Sequence, residues 1–237
     1  MADCSSPMYL LAGGHRHSSR QSSEPLMQAV LQRIGVRHPK IAYVGAASGD
    51  NPGFRELIAT MLREAGAGQV TLAPLCGRRA DRDEAKAVLE GADLVFISGG
   101  DVEEGIRVLR QNRITLTLEA LHGRGVPFVG VSAGSIMLAH HWVRWGDPED
   151  DDTAELFPCL GFAPVLCDTH GEEEGWAELR AALTLSPVGT TGYGIVSGAA
   201  LVVQTDGHLC ALGGKVNVFR HERSGLSHTA DLAPAGG

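Results

Sequence analysis

Short apolar runs rich in β-branched residues, each separated from the next by a longer stretch with helical spacing, constrain this chain more than any other feature. The runs are Tyr9 to Ala12, Ile41 to Gly45, Val70 to Ala73, Leu94 to Ile97, Pro127 to Val131 and Pro164 to Cys167. Between them, apolar residues recur at helical spacing over Glu24 to Ile34, Gly53 to Glu64, Arg82 to Leu89, Val102 to Arg110 and Ala133 to Val143. Strands alternating with helices in this way predict parallel βαβ units, an α/β fold whose mostly parallel sheet is covered by helices on both faces. Beyond Gly192 the pattern changes to short strands at Gly194 to Ser197, Ala200 to Gln204, His208 to Leu212 and Val216 to Phe219, a β-rich closing segment. No linker divides residues 1–220, so one domain is expected there. Residues 221–237 are polar and rich in Ala, Pro and Gly, which predicts a flexible tail.

Several of the strands run directly into Gly or Ser. Loops leaving the carboxyl ends of strands form the ligand crevice of open α/β sheets. Gly13-Gly14, Ala47-Ser48-Gly49-Asp50, Ser98-Gly99-Gly100-Asp101 and the segment around Ser132 are therefore expected to face one cleft. The last of these carries the most chemistry. Gly130-Val131-Ser132-Ala133-Gly134-Ser135 follows an apolar strand and opens an apolar helix, the context of a nucleophile elbow. Its glycines permit the close main-chain approach that such a turn demands. The same small residues would also serve a tight strand-to-helix packing turn with no chemistry. If Ser132 is a nucleophile, the amide of Ala133 supplies one oxyanion donor and Gly99 or Gly100 the other. Asp101 is in addition placed to cap the helix beginning at Val102.

A serine hydroxyl needs a base within hydrogen-bond reach and a third group to orient that base. His170 is the best-placed imidazole, because it follows the Pro164 to Cys167 strand at the cleft edge. His140 and His141 read as the far end of the Ser132 helix, while His15 belongs to the first Gly-Gly loop. The net charge of −8, with 20 Lys and Arg residues scattered, excludes a nucleic-acid partner from the expectation. No stretch has the length of a membrane span and the N-terminus lacks a signal-like pattern, so the cytoplasm is the expected compartment. Cys4, Cys76, Cys159, Cys167 and Cys210 are odd in number and widely spaced, which predicts reduced thiols. The histidines and cysteines lack ligand spacing, so neither a metal nor a cofactor is expected, and Asp168 beside His170 reads as part of the catalytic strand end.

Taken together, these segments resemble the dipeptidase E (aspartyl dipeptidase) and cyanophycinase family of serine peptidases, whose fold is similar to class I glutamine amidotransferases. The resemblance rests on Phe96-Ile97-Ser98-Gly99-Gly100-Asp101, Val131-Ser132-Ala133-Gly134-Ser135 and Cys167-Asp168-Thr169-His170, and extends to Tyr193–Gly198 and Ala211–Lys215. It implies a three-layer fold, Ser132 as nucleophile, His170 as general base, and Gly100 with Ala133 as oxyanion donors. Where the family often carries Glu in a Gly-Ile/Leu-x-Glu-Gly segment, this chain has Ser197. The family's other acidic position falls in Asp147-Pro148-Glu149-Asp150-Asp151-Asp152, and Asp147 or Asp150 is the expected third member. After the histidine the family's substrate-binding arginine is replaced by Gly171-Glu172-Glu173-Glu174-Gly175-Trp176, with Arg180 the nearby cation. Asp101, Glu173, Trp176 and Arg180 are assigned to substrate binding. Short peptides with neutral or basic side chains are the expected substrates, rather than strictly Asp-initiated ones, and a homodimer is left open. The competing reading is an amidase, an esterase or a catalytically silent small-molecule-binding member of the same fold.

Overall fold

The computed structural model describes residues 6–13, 25–147 and 149–234. Gly14, His15 and the first residue of the expected helix at Glu24 lie outside them. The elements, in chain order, are β1 (Met8–Leu11), α1 (Pro25–Ile34), β2 (Ile41–Val44), α2 (Pro52–Glu64), β3 (Val70–Leu72), α3 (Arg82–Glu90) and β4 (Leu94–Ile97). Then come α4 (Val102–Gln111), α5 (Thr115–Gly123), β5 (Phe128–Val131), α6 (Ala133–Leu138), β6 (His141–Trp145), β7 (Ala154–Pro158) and β8 (Leu166–Thr169). The chain closes with α7 (Ala177–Thr184), β9 (Thr191–Ile195), β10 (Ala200–Val203), β11 (Leu209–Leu212), β12 (Val216–Glu222) and β13 (Gly225–His228).

The main sheet has the order β11-β10-β1-β5-β4-β2-β3, and the strands from β1 to β3 in that order pair in parallel. Its antiparallel edge is the hairpin β10–β11. Alternate residues explain why these strands read as continuous apolar runs: both faces are covered. Leu10, Val44, Val95, Ile97 and Phe128 pack on one face with α3, α4, α5 and α6. Tyr9, Leu11, Tyr43, Phe96 and Val129 pack on the other with α1 and α2. A second sheet, β13-β12-β9-β8, carries its own core of Leu166, Trp176, Leu179, Leu183 and Phe219 against α7.

The structure corrects the sequence reading at several places. The helix expected over Ala133 to Val143 stops at Leu138, because Ala139 turns extended and the amide of His140 bonds the carbonyl of Val165. His141 to Trp145, with its bulky side chains, instead forms a hairpin with Ala154–Pro158. The acidic loop between these two strands contains a single 3₁₀ turn over Asp151–Thr153. No element was expected at Thr115–Gly123 or Ala177–Thr184, and both are helices. The predicted tail is corrected as well. Gly225–His228 pairs with β12, the Phe219 and His228 rings stack at 4.9 Å, and Leu232 bridges back to Val216, so the fold continues through Pro234.

Around the turn from β5 into α6, two positions fit only glycine, Gly130 in the strand and Gly134 in the helix. A Cβ on Gly134 would lie 2.1 Å from the carbonyl oxygen of Ile97, and one on Gly130 would lie 2.6 Å from that of Gly134. Both obstacles are backbone, which cannot rotate aside. Gly134→Ala is therefore expected to cost at least about 2 kcal/mol and to lower the melting temperature by about 4 °C or more in thermal denaturation of the purified protein.

Candidate active site

Ser132 sits between β5 and α6 with φ 54° and ψ −125°, a left-handed conformation that a non-glycine residue adopts only when its surroundings impose it. Two bonds to one carbonyl impose it here. The Ser132 amide donates to the oxygen of Leu11 at 2.9 Å, and the hydroxyl of the fully buried Ser135 donates to the same oxygen at 2.8 Å. The consequence is a half-buried serine whose Oγ points outward.

His170 arrives from the second sheet. It follows β8 with φ 43°, so the chain swings out of the strand, and its amide is held by the carbonyl of Ile195 at 3.0 Å. Because β8 packs on α6, with the Cys167 thiol directed at the carbonyl of Ser135 at 3.9 Å, the swing delivers the imidazole to the elbow. Ser132 Oγ and His170 Nε2 are 2.8 Å apart, a hydrogen bond in which Oγ donates when Nε2 is unprotonated. Nδ1 has no hydrogen-bond partner among the described residues.

Gly99 lies against the serine: a Cβ there would stand 3.0 Å from the Cβ of Ser132. Gly100 has φ 144°, and a Cβ on it would sit 2.0 Å from the oxygen of Ala47, the same oxygen that accepts from the amide of Asp101 at 2.8 Å. Among the described residues no backbone carbonyl accepts from the amides of Gly99 or Gly100. Ala133 opens α6, where first-turn amides have no intrahelical acceptor. The carbonyl of Gly13 accepts from the amide of Gly198, so the loops after β1, β2, β4, β5 and β9 meet at one edge.

Other residues singled out in the sequence stand elsewhere. Asp147 and Asp150 occupy the exposed loop between β6 and β7, where their Oδ1 atoms accept from the amides of Glu149 and Asp152. The structure does not bring either to His170, because a loop of turn-forming carboxylates satisfies its own backbone first. Asp101 caps α4 by accepting from the amide of Glu104 at 2.7 Å. Trp176, expected at the substrate, is 5 % exposed and spread over Gly171 and Gly194 in the core of the second sheet. Glu173 and Arg180 are exposed and make no ion pair among the described residues. Asp168 lies one residue out of phase with Cys167 and therefore faces α7, away from the elbow, beside Glu178 and Trp142. Burial, reinforced by the charge of Glu178, pushes its carboxyl up to about 7. One residue escaped the sequence reading: Glu172 reaches across to accept from the amide of Ser197 at 2.6 Å. The only sequence signal was the serine at 197, which left a carboxylate to be found nearby. A cavity of about 400 Å³ opens at the amino ends of β8 and β9, lined by His140, His141, Thr190, Thr191 and Tyr193, with no part of the elbow in its wall.

A parallel α/β sheet bearing a serine elbow, an imidazole in contact and free amides beside it defines a hydrolase-like arrangement. The chain belongs to peptidase family S51, the dipeptidase E and cyanophycinase family, whose model matches residues 8–210. The fold is similar to that of a peptidase from an acI-B1 Actinobacterium, at 18 % identity and a TM-score of 0.73 over 98 % of this chain and 96 % of the other. It is also similar to a putative peptidase E protein from Listeria monocytogenes EGD-e, at 13 % identity and a TM-score of 0.60 over 87 % and 98 %. None of the curated proteins matches the sequence.

The buried acid makes a pH-dependent expectation. A carboxyl whose folded value lies above its unfolded one favours folding while protonated, and that contribution is lost as pH rises from about 4 through about 7. Asp168→Asn keeps an acceptor for the amide of Thr169, bonded at 2.7 Å, and removes the charge. The variant should melt above the wild type near pH 8, with the gap closing towards about pH 5, as read by thermal melts across that range.

Proposed function

We propose that the chain is a serine peptidase of short peptides, with Ser132 as nucleophile and His170 as general base. The observation that carries this reading is the 2.8 Å contact between Oγ and Nε2, made by two residues that both hold left-handed backbone. Strain of this kind persists where the surrounding fold over-determines it, and it concentrates at reacting groups. In the proposed reaction Oγ attacks the scissile carbonyl while its proton passes to Nε2. The amides of Gly100 and Ala133 take the oxyanion, and Nε2 returns the proton to the departing amine. Water then repeats the sequence on the acyl-enzyme, with His170 again as base.

Substrate size and charge follow from the surroundings. The catalytic pair is solvent-facing and lies apart from the 400 Å³ cavity, which suits an extended short peptide rather than an engulfed ligand. Glu173 and Glu174 continue the loop after His170, exposed and without a cation in contact among the described residues. They favour neutral or basic side chains over an aspartyl group, since a like charge there is repelled.

Ser132→Ala is expected to abolish turnover of a mixed dipeptide and tripeptide library, followed by mass spectrometry, and to abolish labelling by a fluorophosphonate probe. His170→Ala should retain the fold and lower kcat/KM on the order of 100-fold or more. A clear preference for Asp-initiated dipeptides would overturn the charge argument, and a folded wild type with neither turnover nor labelling would overturn the peptidase reading.

A further inference from the structure

We propose that Glu172 is the carboxylate that serves the His170 imidazole, an inference that rests on the serine-peptidase reading above. A base that picks up a proton needs a group to hold its other nitrogen and to stabilise the imidazolium. The carboxylates around His170 can be sorted by what they already touch. Asp168 faces α7, and Glu178 accepts from Trp142 Nε1 at 2.7 Å. Asp147 and Asp150 are occupied in the β6–β7 loop. Glu173 and Glu174 point to solvent and are tied to nothing among the described residues.

Glu172 alone of these is fastened across to the loop that follows β9, the strand paired with the one that carries the histidine. Its Oε1 accepts from the amide of Ser197 at 2.6 Å, and Ser197 lies two residues beyond Ile195, whose carbonyl holds the amide of His170. β8 and β9 run in parallel with Thr169 opposite Ile195, so the two loops leave the sheet side by side. Within that closed turn, Nδ1 of His170 and Oε2 of Glu172 both lack hydrogen-bond partners among the described residues. The strap leaves one carboxylate oxygen free on the residue two after the histidine; the two side chains are not in contact in the structure, and the exposed Glu172 side chain reaches Nδ1 by rotating about its bond to the amide of Ser197.

In the reaction the proton from Ser132 goes to Nε2, the imidazolium donates Nδ1–H to Oε2, and Glu172 stays ionised throughout. Because Glu172 acts through His170, it is a positioning residue. A carboxylate on the histidine loop thereby does work that position 197, occupied by serine, does not.

The test is the kinetics of inactivation of the full chain by a fluorophosphonate, in which the bond from Oγ to phosphorus forms, fluoride leaves and His170 takes the proton. Glu172→Gln keeps the acceptor for the amide of Ser197 and removes only the charge. It should leave the melting temperature unchanged, lower the maximal inactivation rate at least about tenfold, and leave half-saturation within about twofold. Placing Ser197→Glu in that background should recover most of the rate. An unchanged rate in Glu172→Gln overturns the proposal, even if Glu172→Ala is slow, since the strap alone would then matter. Absence of labelling in the folded wild type overturns the serine-peptidase reading and this proposal with it, whereas labelling with a normal Glu172→Gln overturns this proposal alone.

Discussion

One carbonyl oxygen, that of Leu11, holds the whole arrangement in place. It accepts both the Ser132 amide and the Ser135 hydroxyl, and it belongs to a central strand with no exposed residue. Holding Ser132 at φ 54° costs on the order of 1–3 kcal/mol, and a flexible loop would relax it. Pinning the turn to the most deeply packed layer of the sheet removes that escape. The glycines at 130 and 134 belong to the same device, since each lets main chain pass where a methyl group would collide.

The second half of the site depends on a different layer. β8 and β9 belong to the second, four-stranded sheet, with α7 and Trp176 behind it, and present His170 to a serine held by the main sheet. The contact between Oγ and Nε2 therefore reports how well two separately packed units are docked. Their junction is apolar and fully packed: Met137, Leu138, Ala163, Val165 and Cys167 all lie in the core shared by α6 and β8. Burial pushes the Cys167 thiol up, so this neighbour of the elbow is kept protonated and inert while it fills space.

Much of the fold was legible because parallel strands covered on both faces must be apolar throughout, and β1, β2, β4 and β5 are short runs of that kind. Ser132 was legible because a sharp strand-to-helix turn restricts its neighbours to residues without bulk. The placement of the expected acidic residues was not. Asp147 and Asp150 stand at an attractive sequence distance from the serine, yet the hairpin of β6 and β7 carries them into a loop of their own. Trp176 is assigned to the substrate from its place in the segment after His170, but its ring packs over Gly171 and Gly194 in the core of the second sheet. The last residues, from His221 on, looked like a tail because strand pairing at an edge leaves little trace in composition.

What the amino-acid order determined by itself is local: where strands run straight into glycine, and where a serine stands among small residues between an apolar strand and an apolar helix. Those properties are read from near neighbours, whereas the backbone that the glycines clear, Ile97 for Gly134 and Ala47 for Gly100, comes from distant segments. Only the tertiary structure decided which histidine meets that serine, which carboxylates are spent on their own loops, and that Glu172 reaches the amide of Ser197. These are distances between residues far apart along the chain or on separate strands, and the docking of one sheet against another sets them.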